Sequence, residues 1–183
     1  MSDLISTISA SRRQFLQASS AAVAAQVALS SSAFAAGSDE IKVGLVGCGG
    51  RGTGAAVQAL KADPGVRLVS MGDAFADRLE GSLTALKNPA NGVNEKVHVE
   101  SDKKFVGFDA YQKVIDSGVD VVLLTAPPCF RPKHLAAAIA AGKHVFAEKP
   151  IAVDAAGVRS VIETCAKAKE KNLSVVSGLC WRY

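Results

Sequence analysis

Aromatic residues are scarce in this chain of 183 residues: they make up 5% of it, with one Trp and two Tyr. No block of Lys and Arg is interleaved with them, and the formal net charge is only +4, so the sequence lacks the charged stacking surface of a nucleic-acid binder. The three histidines, His98, His134 and His144, and the four cysteines show no metal-ligand spacing, which argues against a zinc centre. Cys48, Cys129, Cys165 and Cys180 form no recognisable disulfide framework and are expected to be buried free thiols. No repeat of the solenoid kind occurs, and no uninterrupted apolar run is long enough for a stable membrane anchor. What is abundant is Ala, Val and Gly, a composition suited to closely packed α/β layers.

The richest local signal is Lys42-Val43-Gly44-Leu45-Val46-Gly47-Cys48-Gly49-Gly50-Arg51-Gly52, an apolar strand running into a Gly-x-Gly-x-x-Gly turn. Gly47 permits the tight turn, Gly49 lets backbone approach a pyrophosphate, and Gly52 lets helix and strand pack closely. The helix that starts here offers unpaired N–H groups and a partial positive charge to phosphates. A second strand over 66–71 leads to Asp73, about 20 residues past the turn, where the ribose-binding acid of a dinucleotide site falls. Asp73 can accept from both hydroxyls of an adenosine ribose and would repel a 2′-phosphate, favouring NAD over NADP. Gly47, Gly49, Gly50, Arg51, Gly52 and Asp73 are therefore cofactor-binding candidates. Arg51 has two readings, a contact with adenine or phosphate and a solvated side chain.

Ser11-Arg12-Arg13-Gln14-Phe15-Leu16-Gln17 looks like a twin-arginine export motif, departing at Gln17, where Lys is usual. An Ala-rich run and Ala33-Phe34-Ala35, a small-x-small cleavage pattern, follow. Residues 1–35 are expected to be a cleaved leader, 36–40 a polar joint and 41–183 one domain, in a periplasmic or secreted protein. Because the twin-arginine route moves folded proteins, a nucleotide could be bound before export.

Strands and helices then alternate, which implies a parallel, doubly wound sheet of the Rossmann type. Strands are expected at 41–46, 66–71, 96–99, 119–124, 144–147 and 173–179. Helical stripes are read at Phe75, Leu79, Leu83 and Leu86; at Phe108, Tyr111, Val114 and Ile115; and at Val158, Val161, Ile162, Cys165 and Ala168. Pro132 suits the first turn of the fifth strand's preceding helix, and Asp154 suits an N-cap. His144 reads as a satisfied core residue, and His134 as a packing or capping residue.

Gly142-Lys143-His144-Val145-Phe146-Ala147-Glu148-Lys149-Pro150 resembles the Glu-Lys-Pro signature of Gfo/Idh/MocA oxidoreductases. The preceding loop, Thr125-Ala126-Pro127-Pro128-Cys129-Phe130-Arg131-Pro132-Lys133-His134, is similar to that family's Thr-Pro-Pro-His loop, with Ala126 and Cys129 in place of Thr and His. The resemblance implies that Thr125, Ala126, Pro127, Lys149 and Pro150 lie against the cofactor and that Glu148 touches the nicotinamide ribose. It implies Lys149 as the catalytic residue, assisting proton movement on a substrate hydroxyl, and a Lys149–Pro150 bond that is often cis in relatives. It further implies a second α/β domain carrying most of the substrate pocket, which this sequence is expected to lack. Three functions stay open: a sugar or polyol dehydrogenase, an NAD-dependent glycosidase of the same family, and a non-catalytic nucleotide-binding chain. The expected partner is a carbohydrate-like small molecule, and a homo-oligomer is left open.

Overall fold

The computed structural model describes residues 40–179. The leader, its cleavage site, most of the polar joint and Cys180 lie outside the described residues. The chain runs β1 (Ile41–Val46), α1 (Gly50–Ala62), β2 (Val66–Asp73), α2 (Ala76–Lys87), β3 (Lys104–Val106) and α3 (Ala110–Asp116). It continues through β4 (Val121–Leu124), α4 (Arg131–Ala140), β5 (His144–Ala147), α5 (Ala155–Glu170) and β6 (Val175–Ser177). The six strands form one sheet in the order β3-β2-β1-β4-β5-β6, and every neighbouring pair is parallel. Strand order reverses between β1 and β4, so a crevice opens at their carboxyl ends.

Two apolar layers cover the sheet. One packs Leu60 of α1 and Leu79, Leu83 and Leu86 of α2 onto Leu45, Leu68 and Met71. The other packs Val114 and Ile115 of α3, Leu135 and Ile139 of α4 and Val161 of α5 onto Val46, Val122 and Leu124. Strands buried on both faces explain the near-continuous apolar runs of β1 and β4. Pro132 does fall in the first turn of α4, and the Asp154 carboxylate accepts from Gly157 N–H at 2.6 Å as the N-cap of α5.

The third strand is displaced from its expected place. Residues 94–96 form a 3-10 turn and Val97 makes only a single bridge to Leu68, whereas β3 pairs Met71–Asp73 with 104–106. The chain covers the edge of β2 in two separate pieces, and Lys104-Phe105-Val106 is too short for alternation to reveal it. The fourth and sixth strands are shorter than expected, covering only four and three residues. Four stripe residues also face outward, Val158 of α5 among them. Phe75 caps α2 and is 62% exposed, Phe108 precedes α3 and is 74% exposed, and Ile162 of α5 is 63% exposed. On α5 the buried line is Val161, Thr164 and Ala168, where Thr164 donates its hydroxyl to Ser160 O and so tolerates burial. Among the described residues no helix is long and apolar enough to cross a membrane.

Candidate functional site

The carboxyl ends of β1, β2 and β4 and the start of α1 surround a cleft of about 700 Å³. Its floor is the glycine turn. Gly47 has φ +96°, and a Cβ there would sit 2.4 Å from Ala126 N. A Cβ on Gly52 would lie 1.9 Å from Gly47 O, so α1 touches the turn backbone directly. Gly49 and Gly50 are different: nothing lies within 4 Å of a Cβ built on either. The fold has no internal need for these two small residues, and the space beside them at the helix N-terminus suits a pyrophosphate.

Thr125 secures this turn. Its hydroxyl points at Gly47 O (2.6 Å) and Val46 O (3.0 Å), while Thr125 and Ala126 N–H both donate to Val46 O. The Thr125 side chain therefore holds the turn, and Thr125, Ala126, Pro127 and Pro128 line the cleft here. Asp73 closes the other side. Its carboxylate accepts from Cys48 N–H (2.6 Å) on one oxygen and Phe75 N–H (3.0 Å) on the other. Each oxygen keeps a lone pair for a ribose hydroxyl. The Cys48 thiol donates to Gly72 O at 3.5 Å, and burial, helped by the Asp73 charge, pushes its pKa up to about 12. It is an inert packing group. Among the described cysteines the expectation of burial holds for Cys48, whereas Cys129 is exposed and Cys165 half-buried.

At the β5 end the resemblance residues converge. Glu148, 4% exposed, accepts from Arg51 Nε at 2.7 Å and from the Lys149 N–H at 3.0 Å. Arg51 is exposed at the cleft and braces the glycine turn to the end of β5, with Gln58 Oε1 at 3.3 Å as a second partner. Lys149 is exposed at the cleft, and its ammonium has no partner among the described residues. The Lys149–Pro150 bond is cis. His144 is half-buried and accepts from Ser174 N–H at 3.0 Å through Nδ1, a satisfied structural residue.

Two groups were not assigned site roles from sequence. Phe75, Phe108 and Phe130 give the cleft an apolar wall beside Asp73, and Tyr111 stacks on His134 at 4.1 Å between ring centroids. Burial, then Lys133 and Arg131, pulls the His134 pKa down to about 4. Arg131, 3% exposed, donates to Ala126 O and Pro150 O and so joins the loops after β4 and β5. Its place directly before Pro132 in the loop was the only sequence signal.

A parallel sheet in this order, with a glycine turn and an acid flanking the switch-point cleft, defines a dinucleotide-binding Rossmann domain. The profile of the Gfo/Idh/MocA family, described as an oxidoreductase family with an NAD-binding Rossmann fold, matches residues 41–177. The chain belongs to that family and carries its NAD-binding domain. Inositol 2-dehydrogenase of Salmonella typhimurium (strain LT2) is 31% identical over 143 residues, covering 78% of this chain and 38% of the relative. Glycosyl hydrolase family 109 protein 2 of Shewanella sp. (strain ANA-3) is 28% identical over 190 aligned positions, 93% of this chain and 40% of the relative. Among solved structures, myo-inositol 2-dehydrogenase from Lactobacillus plantarum superposes with a TM-score of 0.59 at 26% identity, over 79% of this chain and 38% of that one. The scyllo-inositol dehydrogenase from Lactobacillus casei, solved with NAD(H) and scyllo-inositol, shares the fold with a TM-score of 0.61 at 23% identity, over 78% of this chain and 37% of that one. The chain spans 36–40% of the length of the curated relatives it matches.

Two outcomes follow from this geometry. Gly49→Ala should leave the melting temperature within about 2 °C yet weaken NAD about tenfold or more in a titration, because its Cβ enters only the open space. Gly52→Ala should instead lower stability by about 2 kcal/mol or more, read by urea denaturation, because its Cβ meets backbone. The second outcome concerns pH. The folded pKa of His134 lies below its unfolded value of about 6.5, so the unfolded chain takes up the proton first as pH falls. Stability should drop between about pH 6.5 and pH 4, by on the order of 3 kcal/mol at most. In His134→Phe, which keeps the ring stack, this part of the pH dependence should vanish.

Proposed function

We propose that the chain is the cofactor-binding part of an exported NAD-dependent dehydrogenase that oxidises a sugar or cyclic polyol. One observation carries the catalytic part of this reading: the Lys149 ammonium, without a partner among the described residues, stands at the cleft beside buried Glu148. The fit to NAD rests on the open space at Gly49 and on the spare acceptor capacity of Asp73. The inositol dehydrogenases among the relatives support the substrate class.

The residues divide the work along the cleft. The N-terminus of α1 and the open side of Gly49 receive the phosphates, and Asp73 accepts the adenosine ribose hydroxyls. Phe75, Phe108 and Phe130 present apolar surface for a purine. Bound NAD supplies the hydride acceptor. Lys149 would act on the substrate: as the neutral amine its Nζ accepts the hydroxyl proton while the hydride leaves carbon for NAD, and the ammonium so formed steadies the developing carbonyl oxygen. Glu148, held by Arg51, accepts from the Lys149 N–H and fixes the backbone from which that side chain extends.

A second reading is favoured by the glycosyl hydrolase relative, whose alignment takes in 93% of this chain. In that case the same cleft would serve glycoside cleavage with no net redox change. Incubation with a chromogenic glycoside and with inositol separates the two, since only the dehydrogenase accumulates NADH.

Calorimetric titration of folded protein tests the shared premise, and no heat at millimolar NAD would sink it. Asp73→Ala should weaken NAD and relax the discrimination against NADP. Lys149→Ala should leave NAD affinity within about twofold and lower polyol turnover by about 10²- to 10⁴-fold. The reverse pattern would show that the roles of the two residues are misassigned. Export through the twin-arginine route is the reading of 1–35. Expressed in a bacterium with that route, the protein should be recovered from the periplasm with Ala36 at its N-terminus. Replacing Arg12 and Arg13 by Lys should keep it in the cytoplasm.

A further inference from the structure

Among the described residues, the charged side chains lining the cleft are Arg51, Asp73, Arg78, Arg131, Glu148 and Lys149. Arg51 is neutralised by Glu148 at 2.7 Å. Asp73 and Arg78 lie at the β2 end, on the strand terminus and the first turn of α2. Lys149 is exposed, so water and salt screen its charge. Arg131 differs from all of these. It is 3% exposed, its two terminal nitrogens are held by the Ala126 and Pro150 carbonyls, and its Nε has no partner among the described residues. No carboxylate among the described residues lies within ion-pair distance of it, and Glu148 acts on it only through its longer-range field.

This is an expensive place for a cation. A buried guanidinium without a contacting carboxylate is poorly compensated, and it stays charged because arginine does not deprotonate in proteins. Arg131 is also the first residue of α4, where the helix dipole already presents positive potential. If the loops needed only a tie, a neutral donor would serve at lower electrostatic cost. What a buried cation adds is a fixed, weakly screened field at the Glu148–Lys149 end of the cleft. The oxidised nicotinamide ring carries a positive charge, and the reduced ring carries none.

We propose that Arg131 selects the redox state of the bound cofactor: the positive charge it fixes between the loops after β4 and β5 weakens NAD⁺ relative to NADH. The proposal rests on the reading of this cleft as an NAD site with the nicotinamide at its β5 end. It makes Arg131 a positioning and electrostatic residue that biases hydride acceptance without touching the substrate.

The test is equilibrium titration of the full chain, and of Arg131→Gln and Arg131→Lys, with NAD⁺, NADH and ADP-ribose. Wild type should bind NADH about three- to tenfold more tightly than NAD⁺. Arg131→Gln should bring the ratio close to one, mainly by tightening NAD⁺, while Arg131→Lys, which keeps the charge, should retain most of it. ADP-ribose has no nicotinamide, so its affinity should be the same in all three proteins. A merely structural role for Arg131 would weaken all three ligands together. Equal binding of NAD⁺ and NADH by wild type would overturn the proposal, and so would an unchanged ratio in folded Arg131→Gln. Should Arg131→Gln not fold, the ratio is read in wild type and in Lys149→Gln: a preference that persists without the lysine supports Arg131, and one that disappears overturns it. If wild type binds none of the three ligands, the failure belongs to the NAD-site reading itself.

Discussion

Everything at the cleft depends on one close approach of backbone to backbone. Helix α1 can lie on the end of β1 only because Gly52 has no side chain to strike Gly47 O, where a Cβ would sit at 1.9 Å. The same turn can sit under the loop after β4 only because Gly47 has none to strike Ala126 N. Thr125 then closes the arrangement from β4 with its hydroxyl against the turn carbonyls. The crevice at the strand-order reversal has its shape because three pieces of chain meet there without intervening side chains.

Around this contact the charges fall into an ordered pattern. Backbone N–H groups satisfy Asp73, the Arg51–Glu148 pair crosses from the turn to β5, and Arg131 ties two loops by their carbonyls. The Asp73–Cys48, Arg51–Glu148 and Arg131–Pro150 ties join segments 25, 97 and 19 residues apart, and each ends at the cleft. Packing of the two apolar layers fixes the sheet; these polar ties fix the loops that the sheet presents.

How much of this could be read beforehand followed from how local each feature is. The strands β1 and β5, the glycine turn, Asp73 and the Glu-Lys-Pro stretch are written in contiguous residues, so pattern and chemistry located them. The place of β3 is set by which part of residues 97–106 can reach the edge of β2, a tertiary matter that three residues of sequence do not encode. Phe75 and Phe108 match helical spacing but lie before their helices, so they face the cleft while Leu79 and Val114 face the core. The partner of Arg51 is 97 residues away, and the role of Arg131 depends on carbonyls from two separate loops. Such pairings are products of the fold and have no signature in the chain.

The parallel pairing of β1 with β4 has a consequence for the order in which this domain acquires its site. Val43 lies beside Val121, so the centre of the sheet joins segments separated by most of the domain. The glycine turn is synthesised early, yet its supporting hydroxyl at Thr125 and its wall at Ala126 emerge much later. A nascent chain that ends before β4 therefore holds the phosphate-binding sequence without the cleft. Non-local contacts of this kind form slowly, because loop closure is completed before the contacts reward it. Cofactor capture in this domain is a late folding event, which couples maturation of the cleft to completion of the whole central sheet.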